Sequence, residues 1–208
     1  MLLYDRIKNK IRRLLHKHIL WKYGFGNRVS KSIWEKQFAA GDWNSLESAD
    51  EAGHYDAIVQ FYSDFGIEKS VLDVGCGQGV LYNYLSQKKG SLLNYLGIDI
   101  AENAIQQATR KHPEGNFKKL DFDRETLNAK FDLIIFNESL YYFQKPLNKV
   151  KDCISGNLNT GGLIIISMCD YLGNDVIWAK LEERYRFLNT RNIVNKKEQK
   201  WKVALIKP

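Results

Sequence analysis

The chain has 208 residues, 44% hydrophobic, 26% charged and 12% aromatic, with three cysteines and a formal net charge of +7. That length suits one well-buried domain with small additions and excludes two ordinary ones, and the aromatic content excludes a disordered chain. No apolar run approaches the ~20 residues of a membrane span and charge interrupts the opening where a secretion signal is unbroken, so the expected location is cytoplasmic, with Cys76, Cys153 and Cys169 as reduced thiols and no metal-ligand spacing.

The charge is segregated along the chain. Residues 1–31 hold nine Lys or Arg against Asp5 alone, a balance of +8, and the remaining 22 bases and 23 acids leave −1. In that first segment Leu3, Ile7, Ile11, Leu14 and Leu15 recur at helical spacing with bases between them, which predicts a basic amphipathic helix over residues 3–20. The stretch KYGFGN ends it. A second helix is expected over residues 32–40, leading through the turn signal Gly41-Asp42 to Trp43, and a third from about 50 to 65.

From Ser70 onward strand-like runs alternate with helical patterns: SVLDVG, a helix from Val80, YLGIDI, a helix from Glu102, FKKLDF, FDLIIF, a helix from Pro146, GGLIIISM and a helix from Asp175. This alternation predicts an α/β fold with a mostly parallel sheet covered on both faces, in which the near-continuous LIIF and LIIIS runs are central strands. The last two runs, RFLNTRNIVN and KWKVALIKP, are separated only by KKEQ and predict an antiparallel hairpin. The expected organisation is a basic segment 1–31, a helical lead-in 32–69 and a core 70–208.

The loop after the first core strand carries Gly75, Gly77 and Gly79, a G-x-G-x-G pattern. A strand feeding a glycine loop and a helix offers bare N–H groups and a positive helix end to an anionic or dipolar ligand. The third glycine of a dinucleotide fingerprint would fall at position 80, which is Val, and Asp73 lies two residues before the loop, where it would repel a pyrophosphate and favour an ammonium or sulfonium. Asp99 at the end of the second strand suits ribose hydroxyls, with helix capping as its plainer role. Asp121 ends the third strand within reach of an adenine amine, with Phe122 able to pack on the base and Asp123 two residues away as the alternative. Three acids at three strand ends facing one crevice describe a nucleoside without phosphates.

The pieces VLDVGCGQG, GIDIAENAI, LDFD, FDLIIFNESLYYF and GGLIIIS, in this order over residues 70–169, resemble the class I S-adenosylmethionine-dependent methyltransferases. The resemblance implies a Rossmann-like doubly wound sheet of seven strands with the last one antiparallel, and S-adenosylmethionine as cofactor. It also implies that Gly75, Gly77, Gly79, Asp73, Asp99, Ile100, Asp121, Phe122 and Asn137 hold that cofactor, Asp73 through its amino group. NESLYYF and HYDAIVQFY look most like the small-molecule and sugar-modifying members, including the nodulation N-methyltransferase group.

On the acceptor side, Glu138 is the expected proton acceptor, and His54 is the other candidate base. Tyr141, Tyr142, His54 and Tyr55 are expected at the substrate, and Trp34 and Trp43 in the region that covers the cofactor. The expected activity is methyl transfer to a hydroxyl or amine of a small molecule or glycan. Nucleic acid is the alternative acceptor suggested by the pI of about 9.2, and a non-catalytic cofactor-binding subunit is a further one. The basic helix is expected to lie on an anionic membrane surface or to dock on the core with its charges solvated.

Overall fold

The structure is a computed structural model describing residues 2–65, 69–87 and 94–208. Helix α1 spans Leu2–His18, although Leu3, the first residue of the expected apolar stripe, falls outside the described side chains. A short tight turn, Leu20–Tyr23, ends in Gly24 at φ 78°, a left-handed position that glycine adopts without a Cβ penalty. Helix α2 is Lys31–Ala40 and α3 is Ala52–Phe65, within two residues of the periodicity.

The core alternates as the sequence implies: β1 Val71–Val74, α4 Val80–Ser86, β2 Tyr95–Asp99, α5 Glu102–Lys111, β3 Phe117–Lys119, β4 Phe131–Asn137, α6 Pro146–Gly156, β5 Leu158–Cys169, α7 Asn174–Glu182, β6 Arg186–Val194 and β7 Lys200–Lys207. The strands form one seven-stranded sheet in the order β3-β2-β1-β4-β5-β7-β6. β1 to β5 are mutually parallel, and β7 runs antiparallel between β5 and β6.

Period-two alternation divides the core into two layers. Leu72, Val74, Ile134, Phe136, Ile164 and Ile166 face α6 and α7 through Val150, Cys153, Ile177 and Leu181. Val71, Leu133, Ile135, Leu163 and Ile165 face α3 and α4 through Ile58, Phe61, Tyr62, Leu81 and Leu85. Both faces being covered, the β4 and β5 runs need no polar alternation. β1 has β2 on one side and β4 on the other, so successive connections leave it in opposite directions and open a crevice beyond its carboxyl end.

A third, smaller cluster seats the lead-in on this crevice. Phe38, Trp34 and Trp43 pack on Ala101 and Ala104, and the Glu35 carboxylate accepts N–H bonds from Glu102 (2.9 Å) and Asn103 (3.0 Å) at the start of α5. A carboxylate there satisfies two orphan donors and complements the helix dipole. Gln107 and Gln78 add side-chain bonds to the carbonyls of Phe38 and Trp43.

Candidate active site

A cavity of about 410 Å³ lies over the carboxyl ends of β1, β2 and β4, roofed by residues 28–55. Its floor is the glycine loop. Gly75, Gly77 and Gly79 all have positive φ, 80°, 54° and 84°, but their surroundings assign them different tasks. A Cβ on Gly75 would lie 2.5 Å from the Ser139 Cβ, so Gly75 admits the chain after β4 to the cavity edge. One on Gly77 would meet only the Phe38 ring, at 3.6 Å, which leaves space beside the loop for a ligand. Gly79 is different: its Cβ would lie 2.9 Å from the His112 ring and 3.3 Å from Ala108, and it is absent from the cavity wall. Its expected place at the cofactor is therefore corrected to one of packing the loop against α5.

Two buried carboxylates flank the loop. Asp73 is 1% exposed and accepts the Tyr95 hydroxyl on Oδ2 at 2.7 Å, while its Oδ1 is buried without a hydrogen-bond partner. Burial pushes its carboxyl up to about 7, against the Tyr95 hydrogen bond. Asp99 takes N–H bonds from Ala101 on Oδ1 (2.8 Å) and Gly77 on Oδ2 (3.0 Å), and burial pushes it up to about 6 against those donors. The capping and ligand readings of Asp99 are compatible, because each oxygen keeps a second lone pair. Gln78, whose Oε1 is also buried and unpartnered, lines the same cavity as Asp73.

At the third strand, Leu120, Asp121, Phe122 and Asp123 all line the cavity, as does Ile100. Phe122 is buried, with Lys149 Nζ 4.3 Å from its ring centroid. Arg28, one of the nine bases of the first segment, enters the site without a sequence signal for it: its guanidinium bridges Asp123 (3.1 Å) and Asp121 (3.6 Å). Arg28 belongs to a strap that crosses the site after α1. The Asn27 N–H donates to the Tyr141 carbonyl at 2.8 Å, and the Gly26 N–H to that of Gln144. Residues 1–31 are therefore not one unit apart from the core: Gly26 and Asn27 are hydrogen-bonded to the chain after β4, and Arg28 lines the cavity.

This strap yields a prediction. A Cβ on Gly26 would lie 2.0 Å from the Phe143 carbonyl oxygen and 2.6 Å from that of Tyr141, backbone atoms that cannot yield. Gly26→Ala is expected to lift the strap, costing ~1–3 kcal/mol of stability and weakening cofactor binding. Thermal unfolding and calorimetry on the parent and variant check it, and an unchanged melting point would show that the strap is not seated this way.

The rest of the cavity wall comes from the end of β4 and the turn after it, β5, β7 and α3. Glu138 follows β4 at φ 53°, a left-handed conformation that costs a non-glycine residue ~1–2 kcal/mol. Its N–H donates to the Ser167 carbonyl at 3.0 Å, and the turn aims its carboxylate across the end of β5. There Oε2 accepts the Tyr141 hydroxyl at 3.0 Å and the Cys169 N–H at 3.2 Å. Burial raises the Glu138 carboxyl above the usual range, opposed by the nearby His54 and by these donors. Tyr142 packs edge-on against Trp34, centroids 4.8 Å apart, and burial holds its hydroxyl at about 12. Tyr55 also lines the cavity.

His54 does not. It is fully buried behind the wall, with Nδ1 3.0 Å from Asn137 Oδ1, Nε2 3.3 Å from Glu51 Oε2, and its ring stacked on Trp201. Its expected place at the substrate becomes one of holding Asn137, which does line the cavity. Trp201, on β7, carries no sequence signal for the site. It is 2% exposed, lines the cavity and has an indole N–H without a partner.

The buried, unpartnered Asp73 Oδ1, the space left beside Gly77 and the lone pairs of Asp99 fit an amino group, a methionine-like backbone and ribose hydroxyls, so the residues present match the cofactor that the sequence implies. The profile of the methyltransferase-domain family matches residues 67–205, more than half of the chain. A ribosomal protein L11 methyltransferase of Chromobacterium violaceum is 33% identical over 101 residues, covering 48% of this chain and 32% of that protein. A ubiquinone biosynthesis O-methyltransferase of Idiomarina loihiensis is 31% identical over 117 residues, covering 53% and 46%. The chain thus spans less than half the length of these curated relatives. In fold it is similar to the N-methyltransferase NodS from Bradyrhizobium japonicum, solved with S-adenosylhomocysteine, with a TM-score of 0.71 at 17% identity over 86% of this chain and 98% of that one. Sequence profile and sheet topology agree: the chain belongs to the class I S-adenosylmethionine-dependent methyltransferases.

Proposed function

We propose that the protein transfers the methyl group of S-adenosylmethionine to a hydroxyl or amine of a small-molecule or glycan acceptor that carries no negative charge beside the reacting atom. The charge of the cavity carries this reading. Seven carboxylates line it, Asp42, Glu51, Asp73, Asp99, Asp121, Asp123 and Glu138, against the single guanidinium of Arg28 among the described residues. A cleft lined by one sign of charge concentrates ligands of the other and repels its own. The cofactor, with sulfonium and ammonium against one carboxylate, matches that field, and a phosphate next to the reacting atom does not.

Asp73 and Gln78 would hold the amino group, Asp99 the ribose, and Ile100, Asp121 and Phe122 the adenine, with Arg28 closing over them. The cofactor supplies an electrophilic methyl group. The chain's own contribution is alignment, which in well-oriented systems reaches effective molarities of ~10⁵ M or more, and a proton acceptor in Glu138. The relatives act on acceptors as unlike as a ribosomal protein and a ubiquinone precursor by their names, so the acceptor is argued from this cavity alone.

Incubation with methyl-labelled cofactor and separate pools of amino sugars and amines, neutral glycans, carboxylic acids and RNA tests the proposal. Label is expected in the amine or neutral glycan pool. Label confined to RNA or to the acids would overturn it. Where the enzyme meets its acceptor is a separate part of the reading: residues 1–31 are inferred to hold it peripherally at an anionic surface, no helix among the described residues being long and apolar enough to cross a membrane.

A further inference from the structure

Helix α1 is docked the wrong way round for a core helix. At 3.6 residues per turn, Ile7, Ile11, Leu14 and Leu15 fall within an arc of about 100°, and His16 lies about 180° from Ile7. An amphipathic helix that belongs to a core buries its apolar arc. Here the reverse holds: Ile7, Ile11, Leu14, Leu15 and the following Ile19 are 45–53% exposed, while His16 is 5% exposed. The His16 ring lies 3.0 Å from the Phe25 carbonyl, and Arg12, on the same side, is partly buried beside Arg28 and Asp123. Polar contacts thus fix α1 to the strap by its inner side and turn its leucine and isoleucine side outward.

The outward face has a charge as well as a polarity. Lys10 and Lys17 are exposed beside one edge of the apolar arc of α1, and no Asp or Glu occurs between Arg6 and Trp34. We infer that the outer face of α1, Ile7 to Ile19 with its flanking bases, lies in the plane of a bilayer surface rich in anionic phospholipid. An apolar arc bordered by Lys and Arg is what such a surface takes up, the apolar residues entering the acyl boundary and the bases reaching headgroup phosphates. RNA would engage the bases alone and leave the apolar arc in water, and a second copy of the chain would bring a second set of like charges to the same face. This inference deepens the peripheral attachment above, rests on it and does not depend on methyl transfer. It also moves the boundary of the attaching segment: removal of residues through Arg28 would take the cavity strap with it, so the face is tested by substitution.

Flotation of the full chain with vesicles of phosphatidylglycerol and phosphatidylethanolamine, against vesicles of phosphatidylcholine alone, reads the inference without turnover. The parent is expected to float with the anionic vesicles at low salt and to release at high salt. Ile11→Glu/Leu14→Glu and, separately, Lys10→Glu/Lys17→Glu should each weaken that binding ~10-fold or more, with melting temperature and cofactor affinity as in the parent. Equal binding to both vesicle types, or binding unchanged in Ile11→Glu/Leu14→Glu, would overturn it. So would a dimer in sedimentation velocity that this variant converts to monomer, which would assign the face to a second copy. Loss of cofactor affinity in the variant with vesicle binding retained would also count against it, since the outer face would then serve the site.

Discussion

Replacing Glu138 with glutamine is expected to lower turnover by ~10²-fold or more while leaving cofactor affinity within about twofold. The geometry explains both halves. Glutamine keeps the shape of the side chain and one oxygen that can still accept the Tyr141 hydroxyl and the Cys169 N–H, which now meet Oε2 at 3.0 and 3.2 Å. The fold and the cofactor floor are therefore preserved, and what is removed is the capacity to take a proton. Among the described residues the remaining oxygen of Glu138 is met by Ser167 Oγ, at 3.4 Å, leaving a lone pair for an acceptor hydroxyl or ammonium. Burial raises the Glu138 carboxyl, and a base with a raised carboxyl pairs better with a weakly acidic proton near neutral pH. Turnover in the parent should fall on the acid side above the usual carboxylate range, and that limb should vanish in the variant. Single-turnover measurements under saturating cofactor check this. A variant with parental turnover would mean that alignment suffices and that the acceptor arrives already deprotonated.

The backbone strain at Glu138 supports the assignment from a different direction. A residue at φ 53° would be relieved by glycine, yet glycine would not deliver a carboxylate to the end of β5. Strain of this kind persists where the surroundings over-determine it, as at functional turns. Ser139 next to it donates its hydroxyl to the Val74 carbonyl, which ties the β4 turn to the glycine loop and so places Glu138 relative to the cofactor floor.

The sheet was legible because its signal is local. LIIF and LIIIS run apolar for lack of a wet face, the glycines alternate where the chain must take positive φ, and KKEQ is too short for anything but a hairpin. Asp73 stood out for the same reason, as an acid in an apolar strand. What stayed hidden are partners brought together over long separations. Arg28 meets Asp121 and Asp123 across more than 90 residues, and His54 meets Asn137 across 83, with no periodicity to announce either. Trp201 reads as an ordinary strand aromatic until β7 is inserted between β5 and β6, which brings it opposite Cys169 at the cavity. The stripe on α1 shows a different limit. Its spacing gives a helix and an apolar face, but which face meets the core is decided by His16 and the strap.

Cofactor binding is expected to strengthen as pH rises from about 5 to about 8 and to release protons in doing so. In the free protein burial holds Asp73 at about 7 and Asp99 at about 6, so both carry protons for part of the time below neutrality. An ammonium against Asp73 and ribose hydroxyls against Asp99 both favour the carboxylate, so binding lowers each pKa and the ligand competes with the protons. Below the free-state values affinity should therefore fall by up to ~10-fold per pH unit for each coupled group, with a plateau above about 8. The sign for the free fold is opposite. A carboxyl whose folded value lies above its unfolded value of about 3.8 contributes stability that is complete below that value and lost as pH rises through about 6 for Asp99 and about 7 for Asp73, so the free protein gives up stability over the range in which the cofactor gains affinity. Asp73→Asn should flatten both trends, binding weakly at all pH values because a carboxamide offers the ammonium no charge. Titration calorimetry with S-adenosylhomocysteine at pH 6.5, in two buffers of different ionisation enthalpy, measures the protons released, and equal heats in the two buffers would show that neither carboxylate meets the ligand.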